Sequence, residues 1–343
     1  MKRSIVLSVV TVIFTIIFAA CTDAAEPVSV IRSLRTSMPT VYDETHGYTQ
    51  AFLKMNEYLN EASGGTLTFD LHPGGRLGDE RSVFESVQMG LIDAALFNAP
   101  VLSGFTNLMD GFDLPYLWVD ENGEVDTALH AAVVGSEFAR GYLDRMKEVT
   151  GVHGLGFFYN APRDFFLNKP FNSLADAPSI KLRSMQAEIH IKMYEAMGFL
   201  PVPMAYGEIY QAMNTGSIDG FEDTAVAAII ADTYEVSRLV VKSGHATASP
   251  LLIMSRRAWD SLNTEEREMM MEAARIGRQT CYDTFAAAML NAYDFLEKAG
   301  LEIKKIDHAE AIAACQPVID ELCDQNPDFK AIYDYVKQTR ESM

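Results

Sequence analysis

Two arginines stand in apolar surroundings, where an unpaired charge is costly. Arg183 ends the run Ile180-Lys181-Leu182-Arg183 just before a helical pattern, and Arg163 precedes Asp164-Phe165-Phe166-Leu167. A guanidinium presents a planar fork of N–H donors that matches a carboxylate. Two such groups on one crevice wall would suit a small organic acid. In an open α/β sheet the carboxyl ends of strands face the ligand crevice, and Arg183 falls at such an end. The competing reading for each arginine is an internal ion pair, with Asp164, Asp219 or Asp223 as partner.

Other chemistry is missing from the sequence. There is no GxSxG nucleophile elbow, no lysine after a phosphate-binding glycine loop and no HExxH pair. Gly154-Leu155-Gly156 has Tyr159 where a dinucleotide fingerprint needs its third glycine. Gly74-Gly75-Arg76-Leu77-Gly78 lies between a strand and a helix pattern but has no lysine partner, and it reads as a turn. The seven histidines show no metal-ligand spacing. The expectation is a binding protein without cofactor or metal, and not an enzyme. Besides Cys21, the cysteines are Cys281, Cys315 and Cys323. The last two are too far apart to bridge on one straight helix. A bridge from Cys281 to one of them and three buried free thiols both remain open.

The elements that must position the arginines alternate. Val28–Ser37, Leu67–His72 and Ile92–Phe97 read as strands, and Tyr42–Ala62 and Asp79–Gln88 as helices. A second set follows: strands Val152–Tyr159, Phe165–Asn168 and Ile180–Ser184, then helices Ala187–Met197 and Tyr206–Asn214. This alternation predicts α/β layers with largely parallel strands. Thr264–Ala299 carries one apolar stripe from Met270 to Leu296, with Asn263 and Glu266 forming a capping signal and Gly300 beyond its end. It is either a single helix lying across two domains or a kinked pair. About 320 mature residues exceed what one core usually serves, and no linker separates two halves, so a chain that crosses between lobes is expected.

Lys2 and Arg3 precede Ile5–Ala20, 16 uncharged residues, fewer than the ~20 that span a bilayer. This is signal-peptide anatomy. Phe18-Ala19-Ala20-Cys21 also resembles a lipobox, so lipidation at Cys21 and plain cleavage near Ala25 are the alternatives for residues 1–25. Without residues 1–20 the chain holds 26 basic and 47 acidic residues, a net charge of −21. That surface repels nucleic acid and anionic membrane, and an anionic ligand must find a local basic site against it.

Lys181-Leu182-Arg183, Pro201–Tyr210 and Gly216-Ser217-Ile218-Asp219-Gly220-Phe221-Glu222-Asp223 closely resemble the substrate-binding proteins of TRAP transporters, C4-dicarboxylate-binding type. Gly75–Arg81 with Gln88-Met89-Gly90, and Phe112–Tyr116, fit in the same order. The resemblance implies a two-lobe periplasmic binding protein (type II-like) with a long helix, 264–299, spanning both lobes. Lobe I would comprise 27–151 with about 240–280, and lobe II 152–239 with part of 281–343. It also implies a small organic acid anion as ligand and TRAP membrane permease subunits as partner. Arg183 matches the family's carboxylate-clamping arginine and Arg163 a second ligand arginine. Tyr206 matches an aromatic over the ligand, and Asn98, Glu80 and Gln186 match pocket positions. This chain departs from the family with Ser184-Met185 in place of Val-Pro. It also has Asp223 where the family has an amide. A carboxylate there can only accept hydrogen bonds, which favours a sugar acid with one carboxylate and several hydroxyls. The alternatives are a C4-dicarboxylate, a 2-oxo or hydroxy acid, or a receptor serving a sensor.

Overall fold

The computed structural model describes residues 31–38, 43–120 and 123–343. The expected leader, Cys21, the first residues of the expected Val28–Ser37 strand and Tyr42 of the expected Tyr42–Ala62 helix lie outside them. No helix among the described residues is long and apolar enough to cross a membrane.

Two sheets form the frame. The first lobe is built on β1 (Arg32–Ser37), β2 (Leu67–His72), β3 (Ala94–Phe97) and β4 (His153–Phe157). The second is built on β5 (Arg163–Leu167), β6 (Lys181–Ser184), β7 (Leu200–Pro203), β8 (Gly220–Thr224) and β9 (Leu239–Ala246). Two later strands divide between the lobes: β10 (Leu251–Met254) joins the first and β11 (Glu302–Lys305) the second. The orders are β2-β1-β3-β10-β4 and β11-β9-β5-β8-β6-β7.

The expected parallel pairing holds for β1 with β2 and β3, and for β6 with β7 and β8. It fails at the strands next to the crossings. β10 runs antiparallel to β3 and β4, and β5 runs antiparallel to β8 and β9. The chain enters a lobe along these strands from the other lobe, against the direction set by the βαβ units. It changes sheets between β4 and β5 and again between β9 and β10. Both switches fall several residues later than the boundaries at 151/152 and 239/240 expected from the sequence. The end of the chain also returns to the first lobe, where Phe329, Ile332 and Val336 of the helix Pro327–Ser342 join Phe112 in one core.

Thr264–Lys298 is a single helix of 35 residues, about 52 Å at ~1.5 Å per residue. Asn263 Oδ1 accepts from Glu266 N (2.9 Å), and the Glu266 carboxylate accepts from Asn263 N (2.8 Å), so two orphan donors are satisfied reciprocally. Its apolar side enters one core with Phe52 and Met55 of the first lobe and Phe166, Phe221 and Val240 of the second. Close approach there requires glycine. A Cβ at Gly277 would sit 2.7 Å from Met55 Sδ, and one at Gly47 would sit 2.6 Å from the Phe285 ring.

No disulfide forms. Cys281, Cys315 and Cys323 are buried free thiols. They belong to three different cores: Cys281 to the one around the long helix, Cys315 to that of the second lobe and Cys323 to that of the first. Cys315 and Cys323 do share one helix, His308–Gln325.

Candidate ligand-binding cleft

A cavity of about 380 Å³ opens between the lobes, within the size range of small-ligand pockets. The first lobe contributes the glycine turn after β2 and the start of the helix Glu80–Gln88: Gly74, Gly75, Gly78, Asp79, Glu80 and Arg81. The second lobe contributes Arg183, Met185 and Gln186 from the end of β6, and Met204 to Gly207 from the end of β7. Gly74, Gly75 and Gly78 have φ of +72°, +67° and +123°, backbone that suits glycine and lets the turn curl back on the cleft rim.

Arg183 sits at the back of this cleft and is 3% exposed. Its Nε and Nη2 donate to the Met204 carbonyl at 3.2 and 3.1 Å, and Nη1 donates to Glu222 Oε1 at 2.7 Å. Three of its five N–H groups are therefore spent, leaving two for a ligand. The arginine has both of the environments the sequence left open: it lines the cleft and it is ion-paired.

The partner is Glu222, which the sequence reading did not single out. β8 lies between β5 and β6, so Glu222 on β8 reaches Arg163 on one side and Arg183 on the other. Arg163 donates Nε to Glu222 Oε2 and Nη2 to the Glu222 carbonyl (2.9 Å), and its Nη2 lies 3.5 Å from Asp223 Oδ1. Glu222 is fully buried. Burial disfavours its charge, but Arg163 and Arg183 outweigh that and hold its carboxyl below the usual range. The one available signal was a lone Glu inside the strand run Gly220-Phe221-Glu222-Asp223-Thr224, where a buried charge demands a partner.

Arg163, Asp223 and Asn98 do not line the cleft. Arg163 is 3% exposed and stands behind Glu222. Asp223 is not open to a ligand hydroxyl: its Oδ2 accepts from Tyr206 OH at 2.8 Å and its Oδ1 from Thr224 N at 2.8 Å. Burial raises its pKa, with Arg163 opposing. The argument from Asp223 to a hydroxylated ligand therefore loses its direct contact. Asp219 is likewise not a partner of either arginine; it pairs with Lys169 at 2.9 Å.

Tyr206, Gln186 and Glu80 do line the cleft. Glu80 Oε1 accepts from Asn98 N at 3.1 Å and Asn98 Nδ2 at 3.4 Å. Burial pushes its carboxyl up, while the Asn98 N–H and the arginines Arg183 and Arg163 pull it down. Asn98 Oδ1 is buried with no partner. Arg81 also lines the cleft and stacks over Phe105 at 5.1 Å.

Two sheets, one helix laid across both and an inter-lobe cleft floored by a half-spent arginine define a two-lobe solute-binding protein. The chain belongs to bacterial extracellular solute-binding protein family 7, whose model matches residues 38–326, the family of TRAP substrate-binding proteins. A TRAP periplasmic solute-binding protein from Xanthobacter autotrophicus Py2, solved with β-D-galacturonate, is 26% identical, with a TM-score of 0.81 and coverage of 89% of this chain and 99% of its own. Another from Bradyrhizobium, in complex with α/β-D-galacturonate, is 24% identical with a TM-score of 0.83, covering 90% of this chain and 100% of that one. The sialic acid-binding periplasmic protein of Vibrio cholerae is 24% identical over 265 residues, 77% of this chain and 80% of its own.

Proposed function

We propose that this protein captures a sugar acid outside the cytoplasm, anchors its single carboxylate on Arg183, and delivers it to a TRAP membrane permease. The observation that carries this is the pair of unspent Arg183 N–H groups facing a cleft with walls from both lobes. The donor count supports one ligand carboxylate rather than two. Arg183 keeps one pair of unspent N–H groups and Arg163 does not line the cleft, so a second carboxylate would meet no other guanidinium on this wall. Galacturonate and sialic acid, for which two of the relatives are named, each carry one carboxylate and several hydroxyls. In this reading Arg163 positions Glu222, Asn98 positions Glu80 by donating to its carboxylate, Tyr206 covers the ligand, and Glu80 and Gln186 read its hydroxyls. The leader exports the chain, and Cys21, when lipidated, tethers it.

Only a ligand that binds the closed form better than the open form can shift the equilibrium between them, and contacts from Arg183 and Glu80 on opposite walls supply that difference. Isothermal titration calorimetry with D-galacturonate, D-glucuronate, sialic acid, succinate and malate tests the reading. A sugar acid should bind the wild type and fail to bind Arg183→Ala. Tight binding of succinate or malate with no response to any sugar acid would overturn it. Uptake into proteoliposomes holding the permease, with and without this protein, tests delivery.

A further inference from the structure

A second and larger cavity, about 650 Å³, lies away from the cleft residues and against the long helix. Thr127, Ala128 and Ala131 form one wall, Tyr282, Ala286, Met289, Leu290 and Tyr293 of the long helix another, and Asp164, Lys242, Lys305 and His308 of the second lobe its base. No residue is shared with the cleft.

The charges in this cavity are unequally matched. Asp164 accepts from Ser243 N at 2.9 Å, Gly244 N at 3.2 Å and Tyr293 OH at 2.6 Å. Asp283 accepts from Gln279 Nε2 at 3.0 Å, and Glu124 lies 3.8 Å from Lys305 Nζ. Every carboxylate facing the cavity is thus partnered. Lys242 is not. Its ammonium stands 3.9 Å over the Tyr293 ring and forms no salt bridge within 4 Å, though its charge acts on Asp164 and helps pull that carboxyl down. Among the described residues it is the one lysine not exposed to solvent that lacks a carboxylate partner. A half-buried ammonium with three free donors can take an anion, drawn in against the three carboxylates that also line the cavity and the acidic surface beyond it. The rest of the lining is unlike a sugar site. Ala128, Ala131, Ala286 and Met289 are apolar, and Leu290 at the mouth is 80% exposed.

We infer that this cavity is a second ligand site, taking a monocarboxylate with an apolar body whose carboxylate meets Lys242 while its hydrocarbon lies against Ala131, Met289 and Leu290. The site is independent of Arg183 and of the sugar-acid reading. Its occupant would touch both lobes and the long helix.

The test is titration calorimetry of the mature protein with phenylacetate and hexanoate as probes. Saturable one-to-one binding is expected in the wild type and equally in Arg183→Ala. It should weaken at least tenfold in Lys242→Met. Leu290→Asp, at a position too exposed to disturb folding, places a negative charge at the mouth and should weaken it as well. Absence of saturable binding at millimolar probe, unchanged affinity in both Lys242→Met and Leu290→Asp, or loss of binding in Arg183→Ala would each overturn the inference. The last outcome would place the probe in the cleft. Galacturonate titrated into the same variants reports separately on the sugar-acid reading.

Discussion

The two walls of the cleft are built differently. The second-lobe wall is made of strand ends: Arg183 closes β6, and Glu222 and Arg163 brace it from β8 and β5, the next strands in the sheet. Each charged group there is at most 3% exposed and held by ladder geometry. The first-lobe wall is a glycine turn and the first residues of a nine-residue helix. Behind it Asn98, which donates to Glu80, keeps an unpaired Oδ1. A site on strand ends holds position better than one on a loop. The second-lobe wall is therefore the more firmly held of the two.

The largest test of this contrast is Arg183→Ala. Sugar-acid affinity should fall by about 2–5 kcal/mol, roughly 30- to 5,000-fold, by calorimetry, whereas Glu80→Gln on the opposite wall should cost about tenfold. Equal losses would break the distinction. Glu222→Gln should cost several kcal/mol of stability in denaturant unfolding, because two buried guanidiniums then share no carboxylate. The same variant, with a net positive wall, should gain affinity for succinate relative to the wild type.

In the first lobe, Asp110 sharpens the comparison through pH. Burial, opposed by the hydrogen bond from Ser103, pushes its carboxyl up to about 7. Between the unfolded carboxyl range near 4 and about 7 the folded state holds a proton that the unfolded state has lost, so this stability is full below about pH 4 and lost as pH rises to about 7. Asp110→Asn should make the stability curve shallower by up to about 1.4 kcal/mol per pH unit over that window, with a higher melting temperature at pH 8. Glu222 acts in the opposite sense. Its lowered pKa gives stability that is present above the ordinary glutamate range and lost on acidification. Gly277→Ala drives a Cβ against Met55 and Phe158 and should cost about 1–3 kcal/mol. Tyr206→Phe removes the donor to Asp223 and is the smallest change, about 1 kcal/mol.

Much of this was legible from the residues alone. The long helix, its Asn263 cap and its apolar stripe followed from periodicity and capping chemistry, because both are local properties of the chain. Leu67–His72 matched the observed strand to the residue for the same reason. Arg183 could be singled out because a charge at the end of an apolar strand run needs a ligand or an internal partner, and the pattern left both open. The partner of that arginine could not be found this way. The sequence offered Asp223, Asp219 and Asp164 and not Glu222, which only the placing of β8 between β5 and β6 brings to both arginines, because strand order is not written in any one segment. The same holds for the crossing strands, for the three separated cysteines and for the unmatched Lys242. Periodicity, caps and the chemical type of a site are set by neighbours along the chain. Which charges share a partner, and which is left without one, is set by contacts between segments tens of residues apart in the chain, and only the folded chain decides those.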